Sequence, residues 1–360
     1  MASIWQRMFG TADTGETRTA TPYIPSREAS VATPETALSL TAVFRCLEII
    51  ATPISSMKIH TYRDMNGTDE KLPNSLLIKN PSLTESRRQF LYSTVTEMGL
   101  TGEAFWLKTF NARGEVVNLT LLPTSAVGIR VDEKNSNRLI YNYLGKDYGQ
   151  NEFEHITLFT RPGYLRGLSP IYTCAKDIQS ALDLRLYAQT WFTDAGVPTG
   201  ILKVNGDVTA AEAETIRGRW HTAQKTRQIA VLGNSTDYQA TALNPSEALF
   251  DKQQMIATQQ IARLFGVPAR LLLTGVDGTS DTYSNLQDEQ QVFWRHTLMN
   301  YTDPIQDALS NCLPRGQEVR FDFEGLFRAD VKSRYEYYKI GIDGGWLTVE
   351  DIQKKEGLSV

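Results

Sequence analysis

Two long helical patterns, separated by a stretch with strands and a helix of its own, constrain this chain more than anything in its composition. The first follows Ser169-Pro170, a side-chain cap and a proline at the first helical position, and reads IYTCAKDIQSALDLRLYAQTWF. Ile171, Ala175, Ile178, Leu182 and Leu186 recur on one stripe, and Tyr172, Leu184, Tyr187 and Trp191 add apolar surface around it. A helix with more than one apolar face needs neighbours on more than one side. Asp194-Ala195-Gly196-Val197-Pro198 breaks this helix. The second pattern, SEALFDKQQMIATQQIARLF, starts at Asn244-Pro245-Ser246. Between the two lie a strand (TGILKV), a helix (TAAEAETIRGRWHTA) and two more strands (QIAVLG and DYQATAL).

The half of the chain before these helices is mixed α+β. Residues 11–37 are rich in Thr, Ser, Pro and Ala and poor in large apolar side chains, a composition that predicts a mobile arm. LSLTAVFRCLEIIA places Leu40, Val43, Leu47 and Ile50 at helical spacing, and TESRRQFLYSTVTEMGL predicts a second helix with Thr84 as its cap. From Glu103 to Thr160 the period moves toward two. AFWLKTF, EVVNLTLLP, AVGIRVDE, LIYNYLG and HITLFT are strand candidates, with Asn111-Ala112-Arg113-Gly114 as a hairpin turn.

After the second long helix the pattern runs into Gly266-Val267-Pro268, then a short apolar turn, then the small polar loop TGVDGTSDT. Helical periodicity resumes at about Ser284 and runs to Leu313 with Trp294, Leu298, Tyr301, Ile305 and Leu309 in register. Pro304 is expected to bend it, since it removes one backbone bond and crowds the preceding turn. SRYEYYKIGIDGGWLTVEDIQKKEGL closes the chain as two short helices joined at Asp343-Gly344-Gly345.

Few residues fall in a pattern that carries chemistry. The polar loop has no Lys-Ser/Thr after a glycine, so it is not a Walker-type phosphate cradle. Read as a calcium loop from Asp277, it has Thr282 where the sharp turn needs glycine and lacks the closing Glu. Gly167-Leu168-Ser169-Pro170-Ile171 begins like a nucleophile elbow, but Ile171 replaces the last glycine, and Ser169 reads as a helix cap. His60, His155, His221 and His296 lack metal spacing. Cys46, Cys174 and Cys312, widely spaced in apolar helical contexts, read as reduced core thiols. No apolar run is long enough to span a membrane, and MASIWQRMFG lacks an apolar secretory core. These readings predict no enzyme, no cofactor and no metal. A net charge of −4 argues against a protein that wraps nucleic acid, which needs a basic footprint.

Six stretches in this order resemble the HK97-type family of bacteriophage portal proteins. They are SLTAVFRCLEIIATPISSMKIHTY, LLIKNPSLTESRRQFLYSTVTEMGLTGEAFW, HITLFTRPGYLRGLSPI, FTDAGVPTGIL, IARLFGVPARLLL and GGWLTVEDIQKKEGL, together covering roughly residues 38–358. The resemblance implies an α+β portal fold and a ring, usually of twelve copies, at one vertex of the viral head. Double-stranded DNA would pass through its centre, without sequence preference, during packaging and ejection. Carried onto this chain, it implies an N-terminal arm at 1–37, a wing at 38–169, a stem helix at 170–195 and a clip at 196–244. A second stem helix follows at 245–266, a tunnel loop at 267–284, the rest of the wing at 285–327 with its long bent helix and strand, and a crown at 328–360. Many relatives continue past EGLSV, so the crown is expected to be short or truncated. The implied site is the virion's portal vertex, with assembly in the host cytoplasm and no membrane involved. A different head-tail connector or ring protein is the alternative.

The resemblance also assigns roles to particular residues. The loop Thr274, Gly275, Val276, Asp277, Gly278, Thr279, Ser280, Asp281 and Thr282 is expected to face the DNA. Its hydroxyls and glycines permit sliding, and its two aspartates repel phosphates; a basic bore would act as a brake through counterion release. Glu212, Arg217 and Lys225 on the clip helix are expected to face the terminase, and Trp191 and Phe192 to pack between subunits. Energy for packaging would come from a separate ATPase, the large terminase subunit. The major capsid protein or scaffold and head-completion or adaptor proteins complete the expected partners.

Overall fold

The computed structural model describes residues 32–65, 68–132, 135–193, 200–204, 209–226, 236–240, 250–272, 289–323 and 331–356. The chain divides into two compact units, Met1–Ile178 with Gln259–Val360, and Gln179–Thr258. The second unit is therefore an insertion, and each of the two long helices begins in one unit and ends in the other.

The first unit is built around two packed helices. Thr41–Ser56 buries Val43, Cys46, Leu47, Ile50 and Ile54, and Arg87–Thr101 buries Phe90, Leu91, Val95 and Met98. They approach closely at Gly99, where a Cβ would stand 2.4 Å from Leu47 Cδ2. Trp106 lies wholly inside, and its indole N–H donates to Thr94 Oγ1 at 3.0 Å, so the one polar atom of a large buried ring is satisfied.

The first unit also holds three antiparallel sheets. Glu103–Phe110 is the centre of the first, between Val116–Leu122 and Phe153–Thr157, with Phe105 opposite both Leu122 and His155. The turn from Phe110 to Val116 forms as expected: Asn111 Oδ1 accepts from Arg113 N and Glu115 N, and Gly114 takes φ 78°. The second sheet is a meander, Val127–Asp132, Asn135–Tyr143 and Lys146–Gly149. Leu144 and Gly145, both at positive φ, make its two-residue turn. Phe105, Leu122, Val127, Ile129, Tyr141 and Phe153 form a common core of these two sheets. The third sheet joins distant parts of the chain: Ile59–Met65 pairs with Thr68–Leu72 on one side and Gln317–Phe321 on the other.

The structure departs from the sequence pattern at several places. The arm does not extend to residue 37: Thr33 caps a helix Pro34–Leu38, and Ala32, Pro34 and Ala37 are buried. Three small apolar residues find a pocket that composition does not reveal. Ser86, not Thr84, caps the Arg87–Thr101 helix, because Ser86 accepts from Gln89 N while Thr84 Oγ1 is 3.1 Å from Ser82 Oγ. The first long helix is not continuous. Pro170–Thr173 forms a separate turn, and Cys174 leaves helical geometry at φ −105°, ψ 31° before Ala175–Thr193 resumes. Along it Ile171 and Ile178 are fully buried, but Leu186 of the expected stripe is exposed. In the later helical region, described from residue 289, a π-helical segment Trp294–Leu298 precedes Met299–Asn311, which contains Pro304.

The second unit contains the antiparallel pair Gly200–Val204 and Thr236–Ala240, with Leu202 opposite Tyr238, and the helix Ala210–Thr226. The strand expected at QIAVLG lies outside the described residues.

Candidate functional site

Two of the sequence stretches singled out above, TGEAFW and YLRGLSP, meet in space and set the start of the first long helix. Gly102 ends the preceding helix at φ 80°, where a Cβ would lie 2.1 Å from Leu168 O, and a Cβ on Gly167 would lie 2.4 Å from Gly102 O. Two glycines therefore let two backbones touch. Glu103, buried at the start of its strand, is the hub. Its Oε1 accepts from Arg166 Nε at 2.6 Å; its Oε2 accepts from Gly167 N at 2.8 Å and lies 2.8 Å from His155 Nε2. Arg166 also donates to Val127 O and Thr124 O, at 2.8 and 2.9 Å, and lies over the Phe105 ring.

Burial pushes the Glu103 carboxyl up, but the His155 hydrogen bond, the Arg166 charge and the Gly167 N–H together hold it below its ordinary value. It is a charged hub with its acceptor oxygens occupied. Next to it, Ser169 caps the Pro170 turn by accepting from Tyr172 N, and its hydroxyl donates to Leu100 O at 2.7 Å. Ser169 is thus a buried cap, as read, and His155 is a satisfied histidine. Glu103 and Arg166 were missed as a pair. The available signal was an acidic residue standing between Gly102 and the apolar run Ala104-Phe105-Trp106.

The second element of the site is the base of the polar loop. The Phe250–Phe265 helix stops in a Schellman motif: Gly266 N donates to Arg263 O and Val267 N to Ala262 O, with Gly266 at φ 65° and Val267 buried. Pro268 then leads into a 3₁₀ turn, Ala269–Leu272. From the far side of the loop, Thr297 in the π-helical segment donates to Gly266 O at 2.6 Å. Arg270 Nε lies 3.7 Å from Glu289 Oε2, an ion pair between the last described residues before the loop and the first after it. Thr274, Gly275, Val276, Asp277, Gly278, Thr279, Ser280, Asp281 and Thr282 themselves lie outside the described residues.

In the second unit, Glu212, Arg217 and Lys225 share the helix Ala210–Thr226. Glu212 reaches back to Thr209, accepting from its N at 3.0 Å and its Oγ1 at 2.7 Å, and these bonds hold its carboxyl below the ordinary value. That is the carboxylate half of a capping box, with Glu212 committed to its own helix. Arg217 is exposed and pairs with Glu214. Trp191 and Phe192 fall in the last turn of Ala175–Thr193, and their side chains lie outside the described ones.

Burial pushes the thiols of Cys46 and Cys312 up to about 12, in keeping with core residues. Among the described residues no cluster of His, Cys, Asp and Glu could hold a metal, and no helix is long and apolar enough to cross a membrane.

Comparison with known proteins bears on the whole chain. A family model described as "Phage portal protein" matches residues 41–357. The "Probable portal protein" of Streptomyces phage phiC31 is 23% identical, over 99% of this chain and 85% of that protein. The "Portal protein" of Enterobacteria phage HK97 is 22% identical, over 90% and 80%. A chain in the neck of a gene transfer agent particle shares the fold. In the empty particle computed with C6 symmetry the TM-score is 0.66 at 17% identity, covering 94% of this chain and 95% of that one. In the native particle computed with C12 symmetry it is 0.60 at 18% identity, covering 89% and 93%.

Proposed function

The chain belongs to the phage portal protein family, of the HK97 type, and its role is that of a ring at one capsid vertex; from that premise we propose how its parts serve the ring. Twelve copies surround a channel for double-stranded DNA, in keeping with the twelve-fold symmetry used for the related neck. The observation that carries the reading is the chain order. A compact unit, Gln179–Thr258, is inserted in the chain between the start of one long helix and the end of another.

The two helices are the stem, with Trp191 and Phe192 packing between subunits, and residues 196–244 are the clip. The clip contacts the terminase during packaging and adaptor proteins afterwards. Residues 38–169 and 285–327 are the wing, and residues 328–360 are the crown. The Glu103–Arg166 joint sets the origin of the first stem helix against the wing. Residues 267–284 are the tunnel loop, and the Thr297–Gly266 hydrogen bond and the Arg270–Glu289 ion pair tie the chain together about its base.

The protein is structural and draws its packaging energy from a separate ATPase. Its net charge of −4, repeated around a ring, favours sliding of a polyanion over gripping it. Negative-stain imaging and mass measurement of the purified full chain test this reading. Closed rings with a central channel are expected; a monomer or dimer under assembly conditions overturns it.

A further inference from the structure

The helices Val331–Asp343 and Val349–Glu356 are joined by a turn at Gly344 and Gly345. One seam of the first helix is buried, at Tyr338 and Gly341, and Leu347 packs where a Cβ on Gly341 would stand. At about 100° per residue, positions 335 and 342 fall on one side of that seam and positions 337 and 340 on the other. All four are exposed: Tyr335 by 50%, Ile342 by 42%, Tyr337 by 53% and Ile340 by 64%. Trp346, 56% exposed, meets Tyr337 edge-on with ring centroids 5.6 Å apart and enlarges the second side.

The charges between the two sides are sorted as well. Going round the helix away from the seam, Lys339 borders the Tyr335 and Ile342 flank, Asp343 comes next, and Glu336 borders the Ile340 and Tyr337 flank. Scattered surface apolar residues need no explanation. Two opposed apolar flanks with complementary charged borders do. A two-fold dimer uses one patch twice, whereas a head-to-tail ring uses two different patches on opposite sides of each copy.

We propose that the Val331–Asp343 helix, with Trp346 of the turn after it, is a subunit contact of the ring: the Tyr335 and Ile342 flank of one copy seats against the Tyr337, Ile340 and Trp346 flank of the next, with Lys339 facing Glu336 and Asp343 across the joint. The occupant is a second copy of this chain, because both flanks are apolar and their charged borders are opposite in sign. The proposal rests on the ring reading above.

The test uses the full chain with Cys174→Ser, since burial leaves the thiols of Cys46 and Cys312 protonated and shielded. Tyr335→Cys and Ile340→Cys together place one thiol on each flank, and rings are treated with a short bis-maleimide. A denaturing gel is expected to show a ladder through dimer, trimer and higher species, while either single variant goes no further than a dimer. A ladder that stops at two, or rings by negative stain with no ladder, overturns this contact and leaves the ring reading standing. Absence of rings in the parent Cys174→Ser protein overturns the ring reading and this contact with it. Charge exchange gives an independent readout. Lys339→Glu is expected to lower ring yield several-fold, and adding Glu336→Lys and Asp343→Lys to restore it. Equal yields for all three proteins overturn the proposal.

Discussion

Arg166 and Glu103, 63 positions apart in the chain, meet through Nε and Oε1 at 2.6 Å inside the first unit, with side chains only 12% and 3% exposed. Either one alone would be a buried charge, which is why the pair is demanding. Glu103→Gln removes the charge but keeps the shape, leaving the Arg166 guanidinium without its counter-ion. Loss of one partner from a buried pair costs about 3–5 kcal/mol. Urea or heat denaturation of the variant is expected to show a loss of that order, and a change under 1 kcal/mol counts against the hub.

The same residue gives the stability a defined acid limb. Burial alone would raise the Glu103 carboxyl, but His155, Arg166 and Gly167 N–H lower it below the ordinary 4.5. A carboxylate depressed in the folded state contributes stability that is fully present above the unfolded value. It is lost as pH falls from there through the folded value. Melting temperature is therefore expected to drop below about pH 4.5, and the drop in Glu103→Gln to be shallower. Parallel curves for the two proteins assign the acid limb to other carboxylates.

Gly266 and Thr297 hold the loop base together from its two sides. Gly266→Ala forces a side chain into left-handed backbone, at about 1–2 kcal/mol, and places its Cβ 2.6 Å from Thr297 Oγ1. Thr297→Val removes the hydrogen bond to Gly266 O, a loss of about 1 kcal/mol. Both variants are expected to melt earlier than the parent. In Gly266→Ala the proteolytic cutting rate within residues 273–288 is expected to rise as well. An alanine variant as stable as the parent means that the helix end relaxes without the Thr297 contact.

If the polar loop meets DNA, exchanging Asp277 and Asp281 for lysine turns repulsion into attraction. Rings are expected to form normally while packaging or ejection slows. Higher ionic strength should bring partial recovery, since screening acts over about 8–10 Å. The asparagine pair should be mild. Wild-type packaging rates for the lysine variant at low salt remove the loop from the DNA path.

On the inserted helix, the Glu212–Thr209 contact separates two roles that residue type alone would merge. Glu212→Ala is expected to lower the helicity of Ala210–Thr226, because Thr209 loses the acceptor for its N–H and hydroxyl. Arg217→Glu with Lys225→Glu tests docking without that loss. Rings that assemble normally but bind terminase less tightly support the clip as the docking surface; unchanged binding moves that surface elsewhere.

What the sequence determined by itself is local. The Ser169 cap, the Gly266-Val267-Pro268 stop and the Asn111–Gly114 turn are each completed by groups within five residues, so the pattern carries both partners. The order of strands, helices and the inserted module was legible for a related reason: periodicity reports which face of each element is apolar. The tertiary structure decided whatever depends on a partner far along the chain. Residues 32–37 read as arm because their small apolar side chains offer little, yet Ala32, Pro34 and Ala37 are buried in the fold. Ile59–Met65 found Gln317–Phe321 across most of the molecule, a pairing that no local pattern encodes. Glu103 and Arg166 are the sharpest case. In sequence each is an ordinary charged residue, and such residues usually face water. Only the fold removes the water from both at once and brings them within hydrogen-bond distance, and only then does each become indispensable to the other.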